Sequence, residues 1–143
     1  MDLAIKTFDE LTTSELFEIL KARVAVFVVE QECAYQDIDD IDREAYHLCM
    51  REGEELKAYL RVFTRNEDCA QIGRVLTTQR RCGFGREILR AGIQLVQDKM
   101  QKREIYLEAQ TYAMSLYEKE GFCAISEEFL EDGIPHVSML LKL

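Results

Sequence analysis

"QRRCGFGREILR" occupies residues 79–90. It runs from two arginines through Gly83 and Gly85 straight into an apolar pattern of helical period. From Phe84 onward Ile88, Leu89, Gly92, Leu95, Val96 and Met100 mark one face over roughly four turns. Upstream, "AQIGRVLTT" (70–78) has the composition of a strand, so residues 79–85 join a strand to a helix. Glycines let the backbone turn tightly and bring its N–H groups close to a ligand. The first turn of the following helix leaves N–H groups unpaired at the positive end of its dipole. Phosphate is the natural guest of such a junction, and the flanking arginines strengthen the field. Alone, Gly-x-Gly before a helix is a weak signal. It lacks the spacing of a dinucleotide fingerprint and the Gly-Lys-Ser/Thr of a nucleotide P-loop.

Working outward, "LAIKTF" (3–8) alternates like a short strand. "TTSELFEILKARVAVFVVEQ" (12–31) opens with Thr and Ser cap candidates, with Glu15 placed for a capping box. Leu16, Leu20 and Phe27 give it one apolar face, as one helix or two. "ECAYQDIDDIDREA" (32–45) is an acidic, irregular connection. "YHLCMR" (46–51) and "LKAYLRVF" (56–63) read as a hairpin, the second arm alternating Leu56, Ala58, Leu60 and Val62. After the central helix, "EIYLEA" (104–109) is a strand and "TYAMSLYEKE" (111–120) a short helix stopped by Gly121. "FCAISEEFL" (122–130) and "IPHVSMLLKL" (134–143) read as closing strands joined by the turn "EDG". The order β-α-β-β-β-α-β-α-β-β predicts an α/β (α+β) fold with a mixed sheet, in a single domain spanning 1–143.

Composition narrows the class. With 48% hydrophobic and 31% charged residues the chain reads as a soluble globular protein. No apolar run approaches the ~20 residues of a membrane helix, and the opening "MDLAIKTFDE" is unlike a secretion signal. A cytoplasmic protein without membrane partners is expected. The five cysteines are odd in number, widely spaced and without a Cys-x-x-Cys pair, which suggests neither a disulfide framework nor a metal site. A net charge of −9 argues against a nucleic-acid partner. The charge is uneven, however. Residues 30–55 hold ten acids against Arg43 and Arg51, whereas residues 74–103 hold eight Lys/Arg against Glu87 and Asp98. Either a local anion site or two solvated surfaces of opposite sign would produce this.

The segment Arg80-Arg81-Cys82-Gly83-Phe84-Gly85 resembles the acetyl-coenzyme A signature of the GNAT N-acetyltransferase superfamily, Q/R-x-x-G-x-G/A, with Arg80, Gly83 and Gly85 in its specified positions. "YLEAQTYAMSLYEKEGF" is similar to that family's Ala-x-x-x-Tyr helix ending in Gly-Phe, here Ala113, Tyr117, Gly121 and Phe122. "RVAVFVVEQECAYQDID" and "LEDGIPHVSM" resemble the ElaA-like branch, so the likeness covers nearly the whole chain. The resemblance implies a GNAT fold: a mostly antiparallel mixed sheet of about six to seven strands, two central strands splayed, and about four flanking helices. It also implies acetyl-CoA as co-substrate, with no metal. The loop amides and side chains of Arg80, Arg81, Cys82, Gly83, Phe84, Gly85 and Arg86 would hold the pyrophosphate. The strand around Val75 and Leu76 would pair with the pantetheine arm and offer backbone donors to the oxyanion. One departure is that Gln110 stands where many relatives have asparagine.

By periodicity alone Tyr117 is a core tyrosine sharing a stripe with Ala113 and Leu116; by resemblance it protonates the coenzyme A sulfur. A base must take the proton of the acceptor ammonium. Glu108 on its strand, Glu30 at the end of the first helical region, and His136 after Pro135 are the candidates, each of which also reads as a surface carboxylate or a hydrogen-bonded histidine. Glu30, Gln31 and Gln110 are candidate substrate contacts. His47 and Arg61 could point inward, but their spacing does not decide it. Cys82 sits inside the cradle without a nearby histidine and reads as a packing residue. The acidic connection suggests a mouth that attracts a small or cationic amine, or a peptide amine. The expected activity is acetyl transfer to a primary amine in a ternary complex. A non-catalytic acyl-CoA-binding module, a site for another phosphate ligand, and a partner-binding protein are the rivals, and a homodimer stays open.

Overall fold

The computed structural model describes residues 1–80 and 82–143. Its central strand is β3 (Glu55–Thr64), closed off from water on both faces from Leu56 to Val62. That double burial explains why Tyr59 and Arg61 are as buried as the leucines between them. Around it run β1 (Asp2–Thr7), β2 (Tyr46–Glu52), β4 (Cys69–Thr77), β5 (Glu104–Gln110), β6 (Cys123–Ala124), β7 (Phe129–Glu131) and β8 (Ile134–Lys142). The sheet order is β1-β2-β3-β4-β5-β8-β6, with β7 also on β8. Every pairing is antiparallel except β4 with β5.

One face is covered by α1 (Thr13–Arg23), which continues as a π-helical stretch over Val24–Glu30. Its start is the expected capping box: the Glu15 amide donates to Thr12 Oγ1 at 3.1 Å, and the Thr12 amide donates to Glu15 Oε1 at 2.8 Å. Ile19 and Phe27 pack there with Cys49, Leu56, Tyr59 and Leu76. The other face carries α2 (Phe84–Leu95), whose Ile88, Leu89 and Leu95 meet Leu48, Leu60, Ile72, Ile105 and Met139. Gly92 lets this helix approach closely, since a Cβ there would lie 3.3 Å from Leu60 Cδ1. α3 (Met114–Glu118) follows a 3-10 turn at Thr111–Ala113 and inserts Tyr117 into the same core.

The expected α/β fold is present with different counts: among the described residues there are eight strands rather than six to seven, and three α-helices rather than four. Residues 122–130 form two short strands, because the backbone leaves β8 between Ala124 and Phe129. The hairpin arm also departs from simple alternation. Met50 pairs with Ala58 but Arg51 with Leu56, so Lys57 is an extra residue. The bulge sends Leu56 to the α1 face, away from Ala58, Leu60 and Val62.

Candidate active site

β4 and β5 pair only through Cys69↔Glu104, Ala70↔Ile105 and Gln71↔Tyr106, and then separate. The divergence begins beside a second bulge. β3 advances from Tyr59 to Arg61 while β4 retreats from Leu76 to Gly73, and Arg74 sits in the left-handed region at φ 54°. Crossing the bulge inverts the alternation of β4. Ile72 therefore packs under α2, and Leu76 packs under α1. The opened V holds a cleft of about 250 Å³ that lies between the end of the first helical region, the β7–β8 hairpin and α3.

Several of the expected site residues meet in this cleft. Val75, Tyr117, Glu108, Gln110, Gln31 and His136 all line it. Gln31 and Gln110 exchange amide hydrogen bonds at 3.1 and 3.2 Å, bridging the first helical region to the end of β5. Glu108 is exposed and accepts a bond from Tyr106 at 3.1 Å. Tyr117 is buried, in edge contact with Phe122, and burial raises its pKa, keeping the phenol protonated. His136 is also buried and lies 2.7 Å from the Ile134 carbonyl through Nδ1. A carbonyl only accepts, so Nδ1 carries the hydrogen, and in the neutral ring Nε2 keeps its lone pair.

The Leu76 side chain is buried in the α1 core, because the bulge turned it there, which leaves its backbone as the part available to the splayed edge. Glu30 does not line the cleft; it pairs with Arg80 at the loop before α2. Gly83, at φ 76°, is the left-handed residue capping α2, with Phe84, Gly85 and Arg86 forming its first turn. Cys82 beside it is exposed, not packed. The basic segment is partly neutralised, since Arg86 and Arg90 both pair with Glu120. Arg81 lies outside the described residues.

The acidic connection also differs from an open acidic mouth. Asp37, Asp39 and Asp42 turn inward onto Arg23, Arg61 and Arg74. Tyr35 donates to Asp37 at 2.5 Å, and the Arg74 Nη2 donates to the Asp37 carbonyl at 3.1 Å. Arg74 Nε lies 2.9 Å from the Asp37 carboxylate, close enough for charge pairing but not aligned for a hydrogen bond. This network fastens the 31–45 connection to the bulge. His47, with ring nitrogens at Tyr59 (2.6 Å) and the Asp42 carbonyl (2.8 Å), is a structural part of it. Burial lowers the His47 pKa.

Sequence reading missed Glu131. It lines the cleft at the end of β7, and Glu131 Oε2 lies 3.7 Å from His136 Nε2. Burial first, and then the Glu108 charge, raise its pKa above the ordinary carboxylate value. The signal was the "EDG" turn itself, since a two-residue turn fixes the register that brings Glu131 beside His136.

A model described as acetyltransferase (GNAT) domain matches residues 11–143. The chain belongs to the GNAT acetyltransferase family. A UPF0039 protein of Schizosaccharomyces pombe is 37% identical over all of this chain and 98% of its own length. Escherichia coli ElaA is 35% identical over 91% of this chain and 89% of its own length. The crystal structure of ElaA superposes with TM-score 0.91, covering 99% of this GNAT chain and all of that one. An acyl-CoA N-acyltransferase from Pseudomonas aeruginosa is 34% identical with TM-score 0.91 over 99% of both chains. The chemistry of this GNAT protein is therefore acyl-CoA-dependent acyl transfer. Among the described residues no group of His, Cys, Asp and Glu is arranged to hold a metal, and no helix is long and apolar enough to cross a membrane.

Proposed function

We propose that this GNAT protein is an N-acetyltransferase that moves the acetyl group of acetyl-CoA directly to a primary amine of a small-molecule or peptide acceptor. One observation carries the reading. The splay cleft gathers a buried protonated phenol, Tyr117, and a buried imidazole, His136, whose Nε2 has no hydrogen-bond partner among the described residues. These are an acid and a base with no structural employment at the reacting end of either group.

The left-handed Gly83 and the first turn of α2 supply backbone N–H donors for the pyrophosphate, with Arg80, Arg86 and the adjacent Cys82, Phe84 and Gly85 completing the loop. Arg81 belongs to the same signature. The unpaired edge of β4 at Val75 and Leu76 receives the pantetheine arm. His136 Nε2 takes one proton from the acceptor ammonium. The amine then adds to the thioester carbonyl, forming the C–N bond as the carbonyl electron pair moves to oxygen. Backbone donors near Val75 stabilise that oxyanion, at ~2.7–4 kcal/mol for each preorganised donor. Collapse breaks the C–S bond, and the departing thiolate takes the Tyr117 proton. The remaining extra proton on nitrogen returns to the phenolate, and His136 releases its proton to solvent. Glu108, which lines the same cleft, holds the ammonium before transfer, and Gln31 with Gln110 bounds the acceptor side.

Thiol release from acetyl-CoA across a panel of diamines, arylalkylamines, amino sugars and short peptides tests the proposal. Turnover is expected on at least one amine. Tyr117→Phe is expected to lose about 100-fold or more of it with acetyl-CoA binding intact. Binding without turnover on any amine would establish a non-catalytic acyl-CoA-binding module instead. If ATP or NAD stabilised the protein and acetyl-CoA did not, both readings would fail.

A further inference from the structure

The acceptor wall of the cleft is a hairpin of defined register. β7 and β8 are joined by Asp132 and Gly133, both at positive φ (52° and 77°), and pair as Phe129↔His136 and Glu131↔Ile134. In that register Phe129, Glu131, Ile134 and His136 share one face, and Glu131 is the diagonal neighbour of His136. Phe129 stacks on the imidazole at 6.0 Å and 22°. Ile134 fixes its Nδ1 hydrogen. The ring is thus held from two sides while its Nε2 lone pair stays in the cleft, 3.7 Å from the Glu131 carboxylate.

We propose that Glu131 is the positioning residue of His136, and that this carboxylate–imidazole pair admits a cationic amine and holds the proton taken from it. The inference deepens the acetyltransferase reading and rests on it for the reaction that follows. A lone pair and a carboxylate at this distance gain nothing from each other. Once Nε2 is protonated, the same contact becomes an ion pair.

The surrounding acids act in the same direction, against Arg61 and Arg74, which also line the cleft but are paired with Asp39, Asp42 and Asp37. Glu108 from β5 and Asp132 from the turn are the further acids facing Glu131, and Arg74 from β4 is the cation facing it, already held by Asp37. Tyr35, Tyr112 and Tyr117 bring phenols to the same space. Burial, and then the Glu108 charge, raise the Glu131 pKa, and a bound ammonium offsets the repulsion between the two carboxylates. The subsite therefore selects for positive charge, and an acceptor with a second ammonium fits it better than a neutral or anionic amine. Asp37, Asp39 and Asp42 of the 32–45 connection do not supply this preference, because they are paired with arginines.

The chain has two histidines, and both ring nitrogens of His47 are engaged in the interior. Proton NMR of the full chain therefore follows His136 directly, with His47 reporting the fold. 1,4-Diaminobutane should shift the His136 resonance in the native chain and not in Glu131→Gln, the His47 signal staying in place in both, and butyrate should shift neither chain. Glu108→Gln is expected to weaken the diamine response less. An undiminished diamine response of His136 in a folded Glu131→Gln variant would overturn the proposal, as would an equal response to diamine and butyrate. These readouts need no turnover. If they behave as expected and no amine is acetylated, the enzyme reading has failed and the ammonium site stands.

Discussion

Arg23 donates from Nη1 to the Asp42 carboxylate at 2.6 Å, with both side chains closed off from water. Burial alone would raise the Asp42 pKa, but the bonds and charges of Arg23 and Arg61 outweigh it and hold it below the ordinary value. Arg23→Leu removes the cation and leaves Asp37 and Asp42 buried with Arg61 and Arg74 in incomplete compensation. The expected cost is about 3–5 kcal/mol in urea unfolding at pH 7. The sign with pH follows from the lowered Asp42 pKa. Its contribution is complete above the unfolded carboxylate value, about pH 4, and is lost as pH falls through the folded value. The gap between native and Arg23→Leu should narrow in acid. A constant gap from pH 7 to pH 3 would contradict this account.

Gly83 bears on ligand binding rather than on packing. It stands at φ 76°, and an added Cβ would meet nothing within 4 Å. The cost of Gly83→Ala is therefore backbone strain, roughly 1–2 kcal/mol in the left-handed region. The loop can escape the strain only by abandoning the conformation that presents its amides. Calorimetric acetyl-CoA affinity should fall about tenfold, with Gly83→Asn in between and the thermal midpoint little changed. Native affinity in Gly83→Ala would remove this loop from the binding site.

The α1 start gives a stability test independent of the cleft. Hydrogen bonding from the Thr12 backbone, and then Lys6, lowers the Glu15 pKa to about 2. Its stabilisation is therefore present above the ordinary carboxylate value and lost as pH falls towards 2. Thr12→Ala should cost about 1 kcal/mol at pH 7. Glu15→Gln should flatten the acid limb of the thermal midpoint measured against pH.

The features legible in the sequence were the chain-local ones. The strand-loop-helix at 70–95 and the Tyr117 helix each announce themselves through glycine placement and apolar period within one short segment. What escaped was set by pairing between distant segments. The bulges at Lys57 and Arg74 invert which face Leu56 and Leu76 present, and strands buried on both sides have no alternation to betray such a slip. An acidic run reads as a solvated surface until Arg23, Arg61 and Arg74 arrive from three other elements to neutralise it. Glu131 became a site residue only through the register of a short hairpin, whose flanking strands are too brief for periodicity to fix.

Cysteine accessibility offers a check on where the donor sits. Cys33, Cys49 and Cys69 are buried, whereas Cys82 and Cys123 are exposed. Burial pushes the Cys49 thiol up to about 11, so it lacks thiolate at neutral pH as well as access. Brief iodoacetamide treatment of the folded chain should alkylate Cys82 and Cys123 and spare the other three. Cys82 precedes the capping Gly83, inside the loop assigned to the pyrophosphate, whereas Cys123 lies in β6 at the far edge of the sheet. Saturating acetyl-CoA should therefore slow alkylation of Cys82 and leave Cys123 at its original rate, read by peptide mass spectrometry. Equal protection of both thiols would indicate a global tightening, and no protection of Cys82 would place the donor elsewhere.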